Sequence, residues 1–203
     1  MAIDKYQDLL HTYWGYSDFR GIQRDIIESI TEGKDTLGLM PTGGGKSITF
    51  QIPALLLDGV CIVITPLIAL MKNQVDAVNG LFSEEGVAHV LNSSLNKTQT
   101  KTVMDDIKSG KTKLLYVAPE SLIKEEYLDF LKEVKISFVA IDEAHCISEW
   151  GHDFRPGYRL IKDWIASLPV RPVVGAFTAT ATEHVKNDML TLLGLGRPEI
   201  FIG

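Results

Sequence analysis

The sequence predicts an α/β fold in which a parallel sheet is covered by helices on both faces and preceded by N-terminal helices. Short apolar runs alternate with helix-length amphipathic segments along most of the 203 residues, as in repeated strand–helix–strand units. The runs are continuous rather than alternating, which is typical of strands buried on both faces. Polar motifs directly follow several runs, and in parallel sheets ligands bind at these carboxyl ends of the strands.

Each predicted element follows from the local spacing of apolar residues. Helical spacing predicts N-terminal helices at about residues 4–14 and 20–31, and Ile22, Ile26 and Ile30 lie on one face of the second. Further amphipathic helices are predicted at residues 67–82, 97–109 and 183–193. Strands are predicted at residues 36–40, 60–65, 87–91, 113–118, 138–141 and 173–177.

Composition limits the classes of protein that fit. With 45% hydrophobic and 23% charged residues the chain can bury a core, and we expect one domain over residues 1–203. The net charge of −6, from 20 basic and 26 acidic residues, excludes nucleic-acid binding through a positive surface alone. Apolar runs stay far below the ~20 residues of a membrane helix, and two cysteines are too few for a disulfide framework. We therefore expect a cytoplasmic protein.

A glycine-rich loop follows the first predicted strand and leads directly into a helical pattern. Glycines let backbone amides surround an anion, the N-terminus of the helix adds positive potential, and Lys46 can reach the β- and γ-phosphates. The strict phosphate-loop pattern has glycine where this chain has Met40. The loop predicts a nucleoside triphosphate and Mg²⁺ as ligands, with a glycine-rich helix-capping turn as the alternative. The residues assigned to nucleotide binding are Thr42, Gly43, Gly44, Gly45, Lys46 and Ser47, the last also as a Mg²⁺ ligand.

An acidic pair ends the apolar strand at residues 136–141. Asp142 is assigned to hold Mg²⁺ through its water shell, and Glu143 to act as the base that polarises the attacking water. Together with Lys46 these two carboxylates form the predicted catalytic set. The alternative is that the pair caps a helix. His145 is interpreted as a hydrogen-bonded or solvated structural residue.

The motifs together resemble a known family of motor proteins. Residues 41–47, 142–145 and 177–181 resemble motifs of the first motor domain of superfamily 2 helicases, in which the position of Met40 need not be glycine. Residues 146–158, CISEWGHDFRPGY, resemble the aromatic-rich loop that marks the RecQ DNA helicases. The resemblance implies a RecA-like phosphate-loop NTPase fold, ATP and Mg²⁺ as cofactors, and single-stranded and partly duplex DNA as the partner.

The resemblance also implies a site for adenine near the N-terminus. Residues 15–23 resemble the motif in which the positions of Tyr16, Arg20 and Gln23 recognise the base, although residues 21–22 replace the usual proline-glycine pair. The residue types fit this role, because an aromatic ring stacks on a base and an amide matches the donor and acceptor of adenine. The alternative places Tyr16 and Phe19 in the core, and we favour it for Phe19.

DNA-binding or coupling roles are implied for residues in several loops. The aromatic-rich loop offers planar faces and a guanidinium to single-stranded DNA. Its aromatic rings could instead pack beneath the loop, and the small polar residues elsewhere could be caps or turn residues. The residues assigned to this group are Thr65, Pro66, Asn92, Ser121, Trp150, His152, Phe154, Arg155, Thr178 and Thr180.

These observations predict the first, ATP-binding motor lobe of a RecQ-like 3′ to 5′ DNA helicase from a bacterium. We expect the second lobe, the zinc-binding cysteine cluster and the winged-helix region to lie outside these residues. An isolated lobe is then expected to fold and to bind adenine nucleotide without unwinding DNA. The alternatives are a non-catalytic module that binds nucleotide and single-stranded DNA, and a lobe of a DEAD-box-like RNA helicase.

Overall fold

A seven-stranded parallel sheet forms the centre of the computed structural model, which describes residues 4–41, 45–179 and 181–203. Every pair of neighbouring strands runs in the same direction, in the order β3-β4-β2-β5-β6-β1-β7. All carboxyl ends of the strands therefore lie along one edge. The strands are β1 Thr36–Leu39, β2 Val60–Ile64, β3 Ala88–Leu91, β4 Leu114–Val117, β5 Ile136–Ile141, β6 Val173–Thr178 and β7 Glu199–Ile202.

The six predicted strands are confirmed, but β7 is not among them. β7 pairs only with β1 at the edge of the sheet, and its residues alternate between half-buried and exposed. It therefore lacks the continuous apolar run that marks a strand covered on both faces. Strands β1, β2 and β4, in contrast, are buried at every position.

Helices connect the strands, as the alternating pattern predicts. The described part of the chain contains α1 Lys5–Leu9, α2 Gln23–Thr31, α3 Ile48–Leu56, α4 Ile68–Asn79, α5 Lys97–Lys108, α6 Glu125–Glu133, α7 Ile161–Ser167 and α8 Glu183–Leu192. The helix predicted at residues 4–14 is α1 followed by a π-helical turn, Leu10–Trp14, which ends at Gly15 with a left-handed φ of 73°. None of the described helices is long and apolar enough to cross a membrane.

The helices cover both faces of the sheet, which confirms the predicted layers. Residues of α2, α3 and α4 form one buried core with one face, represented by Ile26, Phe50 and Met71. Residues of α5, α6, α7 and α8 form a second core with the opposite face, represented by Phe130 and Trp164. Both faces of the central strands are consequently removed from water, a major contribution to stability.

The N-terminal segment packs outside α2 and α3 rather than on the sheet. Leu10 is buried with Ile27 and Ile52 in a third apolar cluster, and half-buried Phe19 packs against this cluster. The interpretation of Phe19 as a core residue holds only in that its ring packs on this N-terminal cluster; it is half-buried and does not reach the sheet. The same interpretation is wrong for Tyr16, which is 52% exposed.

A buried carboxylate links neighbouring strands at their amino-terminal ends, on the side of the sheet opposite the carboxyl ends. Asp35 precedes β1 and accepts hydrogen bonds from both terminal nitrogens of Arg171, at 3.1 and 2.6 Å. It also accepts from the backbone N–H groups of Val174 in β6, at 3.0 Å, and of Gly196, at 2.8 Å. One side chain thus ties together the starts of β1 and β6 and the segment leading into β7.

Candidate active site

The glycine-rich loop begins where β1 leaves the core. The Met40 side chain is buried in the core between the sheet and α3, and its N–H donates to the Thr178 carbonyl at 2.9 Å. The Met40 side chain is therefore accommodated in the interior at the position where the strict pattern has glycine. Gly45 has a φ of 72°, and a Cβ there would collide with the amide nitrogen of Gln23, so two constraints favour glycine. Thr42, Gly43, Gly44 and Thr180 lie outside the described residues.

Lys46 meets the two predicted catalytic carboxylates. Its Nζ lies 2.8 Å from Asp142 Oδ1 and donates to Glu143 Oε1 at 3.0 Å. Lys46 precedes α3 and the carboxylates follow β5, so the contact joins residues 97 positions apart in sequence. We call these three residues the Lys-carboxylate cluster. One cation and two anions leave the cluster with a formal charge of −1 when all three are ionised.

Burial and charge oppose each other in the Lys-carboxylate cluster. Burial alone would lower the pKa of Lys46, but Asp142 and Glu143 stabilise its charged form and raise its pKa above the usual value. Burial raises the pKa of Asp142, and Lys46 counteracts only part of that effect. A nearby positive charge therefore stabilises the ionised form of Asp142. Carboxylate and hydroxyl oxygens suit a hard cation such as Mg²⁺, and half-buried Ser47 follows Lys46 directly in sequence.

The acidic pair does not act as a helix cap. Glu143 has a φ of 51°, in the left-handed region, and its side chain makes no capping hydrogen bond to the 3-10 helix Ala144–Ile147. Asp142 Oδ1 accepts instead from the adjacent Glu143 N–H, at 3.0 Å. The chain turns at Glu143 directly after β5, and both carboxylates lie beside Lys46. The helix-cap alternative is therefore wrong for this pair.

Tyr158 supports the acidic pair, although no role is predicted for it. Its hydroxyl is buried and donates to the backbone carbonyl oxygen of Asp142 at 2.7 Å. The Arg155 N–H donates to the Cys146 carbonyl at 2.9 Å, so the loop returns to the 3-10 helix that follows β5. Tyr158 ends the aromatic motif, but a contact across 16 residues with a backbone atom has no signature in sequence spacing.

His145 is a buried, hydrogen-bonded residue, as its structural interpretation predicts. Its Nδ1 lies 2.7 Å from the Thr178 Oγ1, and its ring stacks on exposed His152 at 4.8 Å between centroids. Burial lowers the pKa of His145 below its usual range. The predicted link from Thr178 to the acidic motif thus has a direct contact. Its role in coupling to DNA stays a prediction.

The residues assigned to adenine surround one cavity. Tyr16, Arg20 and Gln23 line a cavity of about 320 Å³ together with Ile48 at the start of α3. The Gln23 Oε1 accepts from the Arg20 N–H at 2.8 Å, and its Nε2 donates to the Gly45 carbonyl at 3.2 Å. Gln23 therefore joins the wall of this cavity to the glycine-rich loop. Recognition of adenine by these side chains stays a prediction.

The aromatic-rich loop is tied to α8 and presents one ring to solvent. Trp150 is 72% exposed, so the alternative that it packs beneath the loop is wrong; its ring lies 4.8 Å from that of His184. Ser148 Oγ donates to Asp188 Oδ2 at 2.6 Å. His184 and Asp188 are not predicted site residues, because helical spacing alone gives no reason to pair them with the loop.

Phe154 and Arg155 of the aromatic-rich loop each contact a neighbouring side chain. Phe154 is half-buried, with the Arg159 guanidinium 5.4 Å from its ring centroid. Arg155 Nε lies 3.4 Å from the Asp153 carboxylate. Both contacts are at the surface, where such pairs rearrange at little cost. A role of Phe154 and Arg155 in DNA binding stays a prediction.

The small polar residues predicted to contact DNA lie at the carboxyl ends of β2, β3 and β4. Thr65 Oγ1 accepts from the Leu67 N–H at 3.4 Å, next to half-buried Pro66, and Asn92 Oδ1 accepts from the Ser94 N–H at 2.9 Å. Both residues are thus turn residues, as the alternative states. Ser121 is buried in the 3-10 helix Pro119–Ile123. Contact of these residues with DNA phosphates stays a prediction.

A parallel sheet with helices on both faces and a glycine-rich loop beside acidic residues defines the RecA-like phosphate-loop class of α/β proteins. The DEAD/DEAH box helicase family matches residues 20–188, and the chain belongs to that family. Within the family its resemblance to RecQ helicases is confirmed. It is 45% identical to the ATP-dependent DNA helicase RecQ of Pasteurella multocida over 198 residues, which are 97% of this chain and 30% of that protein.

Further comparisons agree on the family and on the fold. The chain is 47% identical to the RecQ protein of Bacillus subtilis over 185 residues, which are 90% of this chain and 31% of that protein. It therefore spans about a third of the length of these curated relatives. A hypothetical ATP-dependent RNA helicase from Sulfolobus tokodaii has the same fold, with a TM-score of 0.73 at 19% identity over 99% of this chain and 57% of that one.

Proposed function

We propose that this chain is one ATP-binding motor lobe of a RecQ-type DNA helicase, and that residues 1–203 form a single domain. The observation that carries the proposal is the Lys-carboxylate cluster, in which Lys46 Nζ lies 2.8 Å from Asp142 and 3.0 Å from Glu143 at the carboxyl edge of the sheet. Family membership and the identity to RecQ proteins support the same function. The parent protein would couple ATP hydrolysis to 3′ to 5′ translocation and strand separation.

The Lys-carboxylate cluster is suited to exchange its internal ion pairs for a charged substrate. Lys46 would turn from the carboxylates to the β- and γ-phosphates of ATP, as the lysine of a phosphate loop does. Asp142 would then lose its buried counter-ion, and together with Ser47 it would hold Mg²⁺ in that place. Mg²⁺, when bound, supplies charge neutralisation at the phosphate oxygens.

Glu143 is the group that would accept a proton. Its carboxylate lies at the surface end of β5 and is partly exposed, so a water molecule can reach it. With Lys46 engaged by phosphate, Glu143 is released to polarise the water that attacks the γ-phosphate in line. Tyr158 and Thr178 would act as positioning residues, because they hold the backbone and the histidine of the acidic motif.

Binding of single-stranded DNA would use local contacts, since the net charge is −6. Trp150 offers an exposed ring on which a base can stack, and Arg155 offers a guanidinium nearby. The loop returns to the acidic motif through Tyr158, so a shift of the loop on DNA would reach Asp142 directly. Bacterial RecQ proteins among the relatives favour a bacterial parent that acts on chromosomal DNA in the cytoplasm.

Phosphate release from Mg²⁺-ATP, with and without single-stranded DNA, tests this function. We expect slow hydrolysis that DNA stimulates and that Glu143→Gln reduces by a factor on the order of 10² to 10⁴, the usual contribution of a general base. Glu133→Gln, an exposed change at the end of α6, serves as the matched control and should hydrolyse ATP like the parent chain.

The other outcomes distinguish the alternatives. ATP binding without turnover would leave a nucleotide-binding module whose hydrolysis needs groups beyond this chain, since loss of an arginine finger costs ~10³ to 10⁵ in rate. Stimulation by RNA but not DNA would favour the RNA-helicase alternative. Absence of ATP binding by the folded chain would contradict the proposed function.

A further inference from the structure

A second group of possible metal ligands lies beside the Lys-carboxylate cluster. One donor atom each from His145, Cys146 and Asp153 lies within 4.8 Å of the other two, the only such trio found among residues 4–41, 45–179 and 181–203. His145 and Cys146 are neighbours in the 3-10 helix after β5, whereas Asp153 belongs to the aromatic-rich loop. Cys146 Sγ is already 3.8 Å from Asp153 Oδ2.

The donors are near enough for small side-chain movements to bring them to the spacing of a tetrahedral zinc site. With bonds of about 2.0 Å to nitrogen and oxygen and about 2.3 Å to sulfur, one nitrogen, one oxygen and one sulfur on a tetrahedral Zn²⁺ lie roughly 3.3–3.5 Å apart. The distance of 3.8 Å between Cys146 Sγ and Asp153 Oδ2 is a few tenths of an ångström longer, and the other donor atoms lie within 4.8 Å, so the side chains would move slightly closer together on binding. An imidazole, a thiolate and a carboxylate select a borderline-soft ion such as Zn²⁺, whereas Mg²⁺ prefers oxygen ligands.

The surroundings of the trio also resemble those of a metal site. A second partner commonly holds a metal-binding histidine through its other ring nitrogen, and here the Thr178 hydroxyl lies 2.7 Å from His145 Nδ1. Cys146 is fully buried and His145 is 5% exposed, so protein atoms surround both donors. Asp153 is half-exposed and leaves a path to solvent.

We propose that His145, Cys146 and Asp153 bind one Zn²⁺ ion at a site separate from the Mg²⁺ position assigned to Asp142. Three protein ligands leave a fourth position for water, so the ion is exchangeable. On binding, the Cys146 thiol releases its proton to solvent and the thiolate bonds to the metal. The ion would then fasten the aromatic-rich loop, through Asp153, to the 3-10 helix that follows the catalytic carboxylates.

Cobalt substitution tests this proposal without any measurement of ATP hydrolysis, so its failure is distinct from that of the proposed function. Co²⁺ bound to a thiolate gives an intense sulfur-to-metal charge-transfer absorption. We expect this band in the parent chain at one equivalent of Co²⁺, and its loss when Zn²⁺ is added. Cys146→Ala should abolish the band, whereas Cys61→Ala, which removes the other buried thiol from β2, should retain it.

Each remaining outcome decides for or against the site. No band in the parent chain, a band that survives Cys146→Ala, or a band lost in folded Cys61→Ala overturns the proposal. If Cys146→Ala does not fold, Asp153→Asn replaces it, because that side chain is partly exposed. Asp153→Asn should then weaken Zn²⁺ binding, measured by competition with a chromophoric chelator, by a factor on the order of 10 or more. Unchanged affinity overturns the proposal.

Discussion

At the scale of single residues, Glu143 combines a catalytic assignment with a strained backbone. A residue with a Cβ in the left-handed region costs about 1–2 kcal/mol, and Glu143 has a φ of 51°. Two contacts hold this conformation: the Glu143 carboxylate accepts a hydrogen bond from Lys46 Nζ at 3.0 Å, and the Glu143 N–H donates to Asp142 Oδ1. Such strain is concentrated at functional sites, where the geometry is needed for chemistry rather than for stability.

This strain predicts an unusual order of stabilities. Both Glu143→Ala and Glu143→Gly remove the carboxylate, but only glycine adopts a positive φ without a steric penalty. We expect Glu143→Gly to have a free energy of unfolding about 1 kcal/mol higher than Glu143→Ala in urea denaturation. At exposed Lys101, inside α5, the control pair should show the opposite order: Lys101→Gly should have a lower free energy of unfolding than Lys101→Ala, because glycine is the poorer helix former. Equal or lower stability of Glu143→Gly would contradict a strained Glu143.

His145 predicts a dependence of stability on pH. Its folded pKa lies below 6.5, mainly because of burial, although Glu143 acts in the opposite direction. Below pH 6.5 the unfolded chain therefore binds a proton before the folded chain does, and stability falls as the pH decreases toward the folded pKa. Urea unfolding at about pH 7.5 and about pH 5.5 measures the loss. His145→Asn should lose less stability over this interval, and an equal loss would contradict the role of His145.

At the scale of elements, the aromatic-rich loop and the N-terminal segment are proposed as two separate binding surfaces, one for DNA and one for ATP. Trp150 is exposed beside α8, whereas Tyr16 lines the cavity that ends at α3. We expect Trp150→Ala to weaken single-stranded DNA binding by about 1–3 kcal/mol and to leave ATP affinity unchanged. Tyr16→Ala should weaken ATP binding and leave the affinity for single-stranded DNA unchanged. Fluorescence anisotropy with labelled DNA and with a labelled ATP analogue measures both, and loss of both affinities in either variant would contradict two separate surfaces.

We expect Asp35 to stabilise the amino-terminal ends of β1 and β6 more than a surface ion pair does. Asp35→Ala leaves the Arg171 guanidinium and the N–H groups of Val174 and Gly196 without their acceptor. We expect the free energy of unfolding to fall by about 2–3 kcal/mol. Asp105→Ala, which breaks an exposed pair with Lys101 in α5, is the control and should cost less than about 0.5 kcal/mol. Similar losses in the two variants would contradict the role of Asp35.

At the scale of the whole molecule, the sequence predicts the sheet better than it predicts the contacts around the site. Six strands are predictable because their apolar runs, such as Val60–Ile64, are buried on both faces. β7 is not, since it packs only as an edge. The meeting of Lys46 with Asp142 is also predictable, because parallel strands bring their carboxyl ends to one edge.

The contacts that support the site follow from packing across the fold. Tyr158 reaches a backbone carbonyl at Asp142, and Ser148 reaches Asp188 across 40 residues of sequence. Neither contact produces a periodic pattern, and either residue could equally belong to an ordinary turn or helix face. Met40 shows the same limit, because the room that the core gives its side chain, where the strict pattern has glycine, depends on packing across the fold.

The affinity of the chain for Mg²⁺-ATP, measured by isothermal titration calorimetry, tests the central claim most directly. We expect the parent chain to bind ATP in preference to GTP, and Lys46→Ala to bind ATP on the order of 10- to 100-fold more weakly, as expected from loss of one charge-assisted contact. Lys101→Ala on the exposed face of α5 should bind like the parent chain. Equal binding by folded Lys46→Ala, or no binding by the parent chain, would contradict a nucleotide site at the Lys-carboxylate cluster.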